Sequence, residues 1–173
     1  MLAGSARTEK SRISVWRFVT IYVVLMGAFL LVISLKPVKD VLDINGLYTE
    51  MVVFLSGMVL KPFGIVEEIG GSLIHLKGLS LDVKFGCNGL EAFLIYTVAI
   101  LAFPARLIKK FAGIIVGFFI LQIINIVRIA GLGLSGIYFK EYFHYIHIYV
   151  AQGIMIVLAL VIFFLWLNYV NEE

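Results

Sequence analysis

The stretch "LYTEMVVFLSGMVL", residues 47–60, decides the fold. It is apolar, carries Glu50 inside it and is closed by Lys61-Pro62. Apolar runs of roughly 10–14 residues are more often interfacial or re-entrant than spanning, because about 20 residues are needed to cross the ~30 Å hydrocarbon core. Charge addresses the same question independently. Arg7, Lys10, Arg12 and Arg17 flank the first long apolar run and place the N-terminus in the cytoplasm, and Arg106, Lys109 and Lys110 belong on that side too. Both groups stay inside only if residues 47–60 do not cross. Length and charge therefore predict one topology. Spans lie at 15–35, 88–103, 111–130 and 147–168, both termini are cytoplasmic, and 47–60 is an interfacial or re-entrant helix outside.

Composition fits this reading. The chain is 62% hydrophobic and only 14% charged, with a mean hydropathy of +1.06. A soluble domain of this size cannot hide that much apolar surface, so the chain reads as one integral membrane domain over residues 1–173. Residues 1–14 form a polar cytoplasmic tail, and "PARLIKK", 104–110, a basic cytoplasmic loop. Residues 63–86 hold "SLIHL" and "SLDVKF", short, partly alternating pieces punctuated by Gly70-Gly71 and Gly78, which predict a small extracytoplasmic β-hairpin. "GLGLSGIYFKEYFHY" reads as a glycine-rich, then aromatic, connection between the last two spans. The expected class is thus an all-α integral membrane protein with about four transmembrane helices, an interfacial helix and the hairpin. The formal charge of +3 comes from basic residues at the ends of apolar runs. It marks topology rather than nucleic-acid binding. The first apolar run has bilayer length and no small-residue cleavage site after it, unlike a signal peptide.

Three polar anomalies fall at one depth in this topology. Cys87, in "KFGCNGLEAF", is the single cysteine, which excludes a CxxC redox pair and an internal disulfide framework. It lies at the outer, N-terminal end of the second span. Arg128, in "NIVRIAG", lies at the outer end of the third, and His147, in "HIYVAQG", at the outer end of the fourth. Each has a simpler reading. Free cysteine usually packs as a small hydrophobe, arginine snorkels to headgroups, and histidine joins the interfacial aromatics. Position argues otherwise. A helix N-terminus favours the thiolate, and the amides of Asn88, Gly89 and Leu90 are candidate oxyanion donors. An ionisable residue inside a membrane usually faces a cavity or a partner. Asn125 shares the face of Arg128 one turn earlier. Glu91, one turn after Cys87, is placed to pair with Arg128 or orient His147, and Gln152 follows His147. His144 is the alternative histidine. No third metal ligand beyond Cys87 is evident beside the two histidines, so neither a metal nor another cofactor is expected.

"CNGLEAF", then "NIVRI" about forty residues later, then a histidine opening the last helix, resembles the exosortase/archaeosortase family of multi-pass membrane cysteine proteases or transpeptidases. The family pattern of Cys-x-Gly, Asn-x-x-Arg and a late histidine or arginine falls on Cys87 with Gly89, on Asn125 with Arg128, and on His147. The resemblance covers roughly residues 45–168, and the wording of the motifs is most similar to the exosortase H subgroup. Many members carry extra N-terminal spans, so this chain looks like a minimal core. The resemblance implies Cys87, Arg128 and His147 as catalytic residues, with Asn88, Gly89, Glu91, Asn125 and Gln152 in support. It implies protein substrates bearing a C-terminal motif, a membrane helix and a basic tail, cut at the outer face of the inner membrane. The acyl acceptor is left open. The competing class is a non-enzymatic membrane subunit, either an anchor whose His144 and His147 bind haem or an assembly factor.

Overall fold

A computed structural model describes residues 15–34, 44–83 and 87–172. The basic residues Arg7, Lys10 and Arg12 and the residues Lys84, Phe85 and Gly86 lie outside the described residues. Helix α1 covers Val15–Ser34 and α2 covers Ile44–Leu60. A 3-10 turn at Lys61–Phe63 leads into strands β1 (Val66–Gly70), β2 (Leu73–Leu76) and β3 (Leu79–Asp82). Helices α3 (Leu90–Ala102) and α4 (Leu107–Tyr138) follow. A single helical turn at Phe143–Tyr145 passes into a π-helical turn at Ile146–Ala151 and then into α5, Gln152–Asn171.

Among the described residues, three helices are long and apolar enough to cross a membrane: α1, α4 and α5. The protein is a membrane protein with a mostly helical body. Helix α3 is equally apolar but has only 13 residues, a rise of about 20 Å. No residue of Val15–Val32 in helix α1 is buried. The helix packs on the rest through half-buried Phe18 and Tyr22, and Phe18 lies 6.4 Å from the Phe103 ring and 6.2 Å from the Phe163 ring, centroid to centroid.

The expected hairpin is a three-stranded antiparallel sheet in the order β1-β2-β3. Strands β2 and β3 alternate as a half-buried sheet should. Ile74, Leu76 and Leu81 point inward and are buried, whereas His75 and Ser80 face out and pair across the strands at 2.9 Å. The additional strand β1, "VEEIG", lacks that alternation because a bulge lies between Val66 and Glu68.

Helix α4 is also longer than the sequence suggests. The glycine-rich segment from residue 131 continues the helix to Tyr138 instead of opening a connection. Here glycine serves close packing, not chain reversal. A Cβ at Gly133 would stand 3.1 Å from Leu76 Cδ1 and 3.2 Å from Leu60 Cδ1. The bare backbone lets the sheet and the end of α2 settle against α4.

Two apolar cores result. One joins α2, the sheet and the later half of α4 through Val52, Val53, Leu60, Ile74, Leu81, Val83 and Ile129, with Cys87 packed against it. The other joins α3, α4 and α5 through Tyr96, Ile100, Leu121, Met155, Phe163 and Trp166. The short segment from Cys87 to Gly89 lies where the two cores meet.

Candidate active site

The segment that carries Cys87 is held by side chains from two helices. Asn88 is fully buried, and its polar groups are engaged in three directions. Its Nδ2 donates to Thr49 Oγ1 of α2 at 3.0 Å, its Oδ1 accepts from the Leu90 amide at 3.1 Å, and its carbonyl accepts from Asn125 Nδ2 at 2.7 Å. One turn along α4 from Asn125, Arg128 donates from Nη2 to the carbonyl oxygen of Cys87. Two successive carbonyls, 87 and 88, are thus fastened by two side chains spaced i, i+3 on one helix face.

Gly89 makes this possible. Its φ of 81° lies in the left-handed region, and a Cβ there would come within 2.7 Å of the Asn125 carboxamide. Both the turn and the close approach favour glycine.

The third element arrives from the other side of the site. His147 sits in the π-helical turn before α5, and its Nε2 lies 3.1 Å from Cys87 Sγ. A π turn inserts a residue relative to α-helical spacing and re-aims what it carries, and such turns recur at functional sites. The Phe143 ring flanks His147 at 5.8 Å between centroids. The backbone of His144 belongs to the preceding helical turn, and its side chain lies outside the described residues.

Cys87, Arg128, His147, Asn88, Gly89 and Asn125 are therefore brought together. Glu91 and Gln152 stand to one side. Both line a crevice with Gly89, Arg128 and Ile95, and no ion pair closes between Glu91 and Arg128. The structure also limits the expected donors for an oxyanion, since the Leu90 amide is taken by Asn88. Arg128 Nε, in contrast, is buried with no hydrogen-bond partner among the described residues.

Sequence reasoning missed Thr49, which secures Asn88 from α2, and the contact from Gln122 Nε2 to the Tyr48 hydroxyl that ties the same helix to α4. The signal was present as polar residues in apolar runs, but their partners depend on tertiary packing.

The molecule is thus a membrane protein with a thiol and an imidazole that precede α3 and α5, gathered beside a guanidinium from the later half of α4. The family model described as transmembrane exosortase (Exosortase_EpsH) matches residues 10–167, a span that includes every residue of this site. The chain belongs to the transmembrane exosortase family, and membership suggests a membrane transpeptidase or protease. Neither a curated protein nor a solved structure matches it.

Proposed function

We propose that the protein is a cysteine protease or transpeptidase that cuts C-terminal sorting signals of exported proteins at the outer face of the cytoplasmic membrane. The observation that carries this reading is the 3.1 Å approach of Cys87 Sγ to His147 Nε2, on a backbone segment held by Arg128. A thiol within hydrogen-bond reach of a base is the arrangement that activates a cysteine nucleophile.

In this mechanism His147 takes the Cys87 proton as sulfur attacks the scissile carbonyl. The guanidinium of Arg128 stabilises the oxyanion, its unpartnered Nε–H being the available donor. Collapse of the tetrahedral intermediate breaks the C–N bond, and His147 returns the proton to the departing amine. The resulting thioester passes its acyl group to an acceptor nucleophile or to water. A haem anchor would need His147 Nε2 for iron, and the contact of that nitrogen with Cys87 favours the enzyme.

The topology belongs to the same proposal. Helix α3 is the fourth span, and its shortfall in length is met by the segment at Cys87–Gly89, where Asn88 and Gly89 are buried against protein. Non-helical backbone is tolerated at membrane depth when protein covers it. Helix α2 and the sheet lie outside, and both termini are cytoplasmic. A membrane-impermeant thiol reagent applied to intact spheroplasts should modify Cys87. Modification only after the membrane is opened would reverse the topology and remove the sorting-enzyme reading.

A further inference from the structure

The crevice beside the nucleophile has a definite place along the helices. It is lined by Glu91, Ala92 and Ile95 of α3, by Arg128 of α4, and by Gln152, Met155 and Ile156 of α5, with Gly89 at its edge. It is a small crevice, about 20 Å³ in volume, that opens to solvent on one side. Its floor is apolar, with Ala92 and Met155 buried in the core between the helices. Its rim is polar, with Glu91, Gln152 and Arg128.

Both flanking helices place this crevice on the membrane-ward side of the Cys87–His147 pair. Cys87 precedes α3, and Glu91 to Ile95 follow within its first turns. His147 precedes α5, and Gln152 to Ile156 follow it by one to two and a half turns. A sorting signal carries its motif first and its membrane helix second. The residues after the scissile bond must therefore descend from the nucleophile into the bilayer along this side.

We propose that the crevice between α3, α4 and α5 is the subsite for the substrate residue that follows the scissile bond, and that it selects an uncharged side chain of modest size. This rests on the sorting-enzyme reading above. The apolar floor takes the side chain. The rim groups of Glu91 and Gln152 meet the peptide groups of a segment not yet wound into helix. Burying a backbone there without such partners would be costly. A charged side chain is disfavoured because it would have to leave water for the apolar floor of Ala92 and Met155.

The test uses the full-length enzyme in membranes and two substrate series. In one, the residue after the cut runs through Gly, Ala, Val, Leu, Phe and Lys. In the other, the residue before the cut is varied in the same way. Ala92→Leu fills the floor and should lower kcat/KM for Leu and Phe after the cut by about 10- to 100-fold, with Gly and Ala little changed. Met155→Ala opens the floor and should shift the preference toward the larger residues, so the proposal does not depend on one variant folding. Neither variant should alter the ranking in the other series. A changed ranking before the cut, or none in either series while cutting persists, would overturn the subsite. Absence of cutting by the wild type, with Cys87 still alkylated from outside, would overturn the function reading itself and the subsite with it.

Discussion

Cys87→Ala is expected to leave a co-expressed protein carrying a C-terminal motif, an apolar helix and a basic tail wholly uncut, while the variant still accumulates in the membrane. The two outcomes separate because Cys87 contributes differently to chemistry and to fold. Its side chain is small and only half buried, so truncation removes little packing. The backbone at 87 and 88 is held by Arg128 and Asn125 through carbonyl oxygens, and alanine preserves these bonds. Removing the nucleophile, however, leaves no covalent route. Loss of a nucleophile in related triad chemistry costs about 10⁴–10⁶-fold in kcat. Pulse-chase labelling of the substrate reads this directly. Processing by Cys87→Ala at the wild-type rate would remove the cysteine from the mechanism.

Arg128 is expected to give the second-largest effect. Arg128→Gln should reduce processing by about 10²–10³-fold, the usual cost of a lost oxyanion donor, and Arg128→Lys should recover little of it. Lysine restores the charge but not the planar fork, and here two nitrogens of the fork have separate tasks. Nη2 fastens the Cys87 carbonyl, and Nε is buried without a partner among the described residues. Rates for a substrate series in isolated membranes check this, with the loss falling in kcat rather than KM. Full recovery by lysine would reduce Arg128 to a point charge.

Part of the site was legible in the sequence as polar residues in apolar runs. The topology expected from basic residues and the length of 47–60 put Cys87, Arg128 and His147 at one depth. The structure gathers those three side chains into one site, with Asn125 on the expected face of Arg128. What could not be read depends on contacts across the fold. Strand β1 was hidden because its bulge breaks the alternation that marks a strand. The glycines from 131 to 136 looked like breakers, yet in α4 Gly133 and Gly136 are the flat surface on which Leu60, Leu76 and Leu79 rest. The π turn that carries His147 has no local sequence signal. The part played by Asn88 is visible only once Thr49, Leu90 and Asn125 surround it.

The central claim is that cleavage passes through a thioester on Cys87. Hydroxylamine captures such an intermediate, because its nitrogen attacks the thioester carbon and releases the Cys87 thiol. In membranes supplied with a signal-bearing substrate and increasing hydroxylamine, the upstream fragment should come to end in a hydroxamate at the cut site, measured by mass spectrometry. That product should be absent with Cys87→Ala. A fragment that ends in a free carboxylate at every hydroxylamine concentration, or a hydroxamate formed equally without Cys87, would contradict the account.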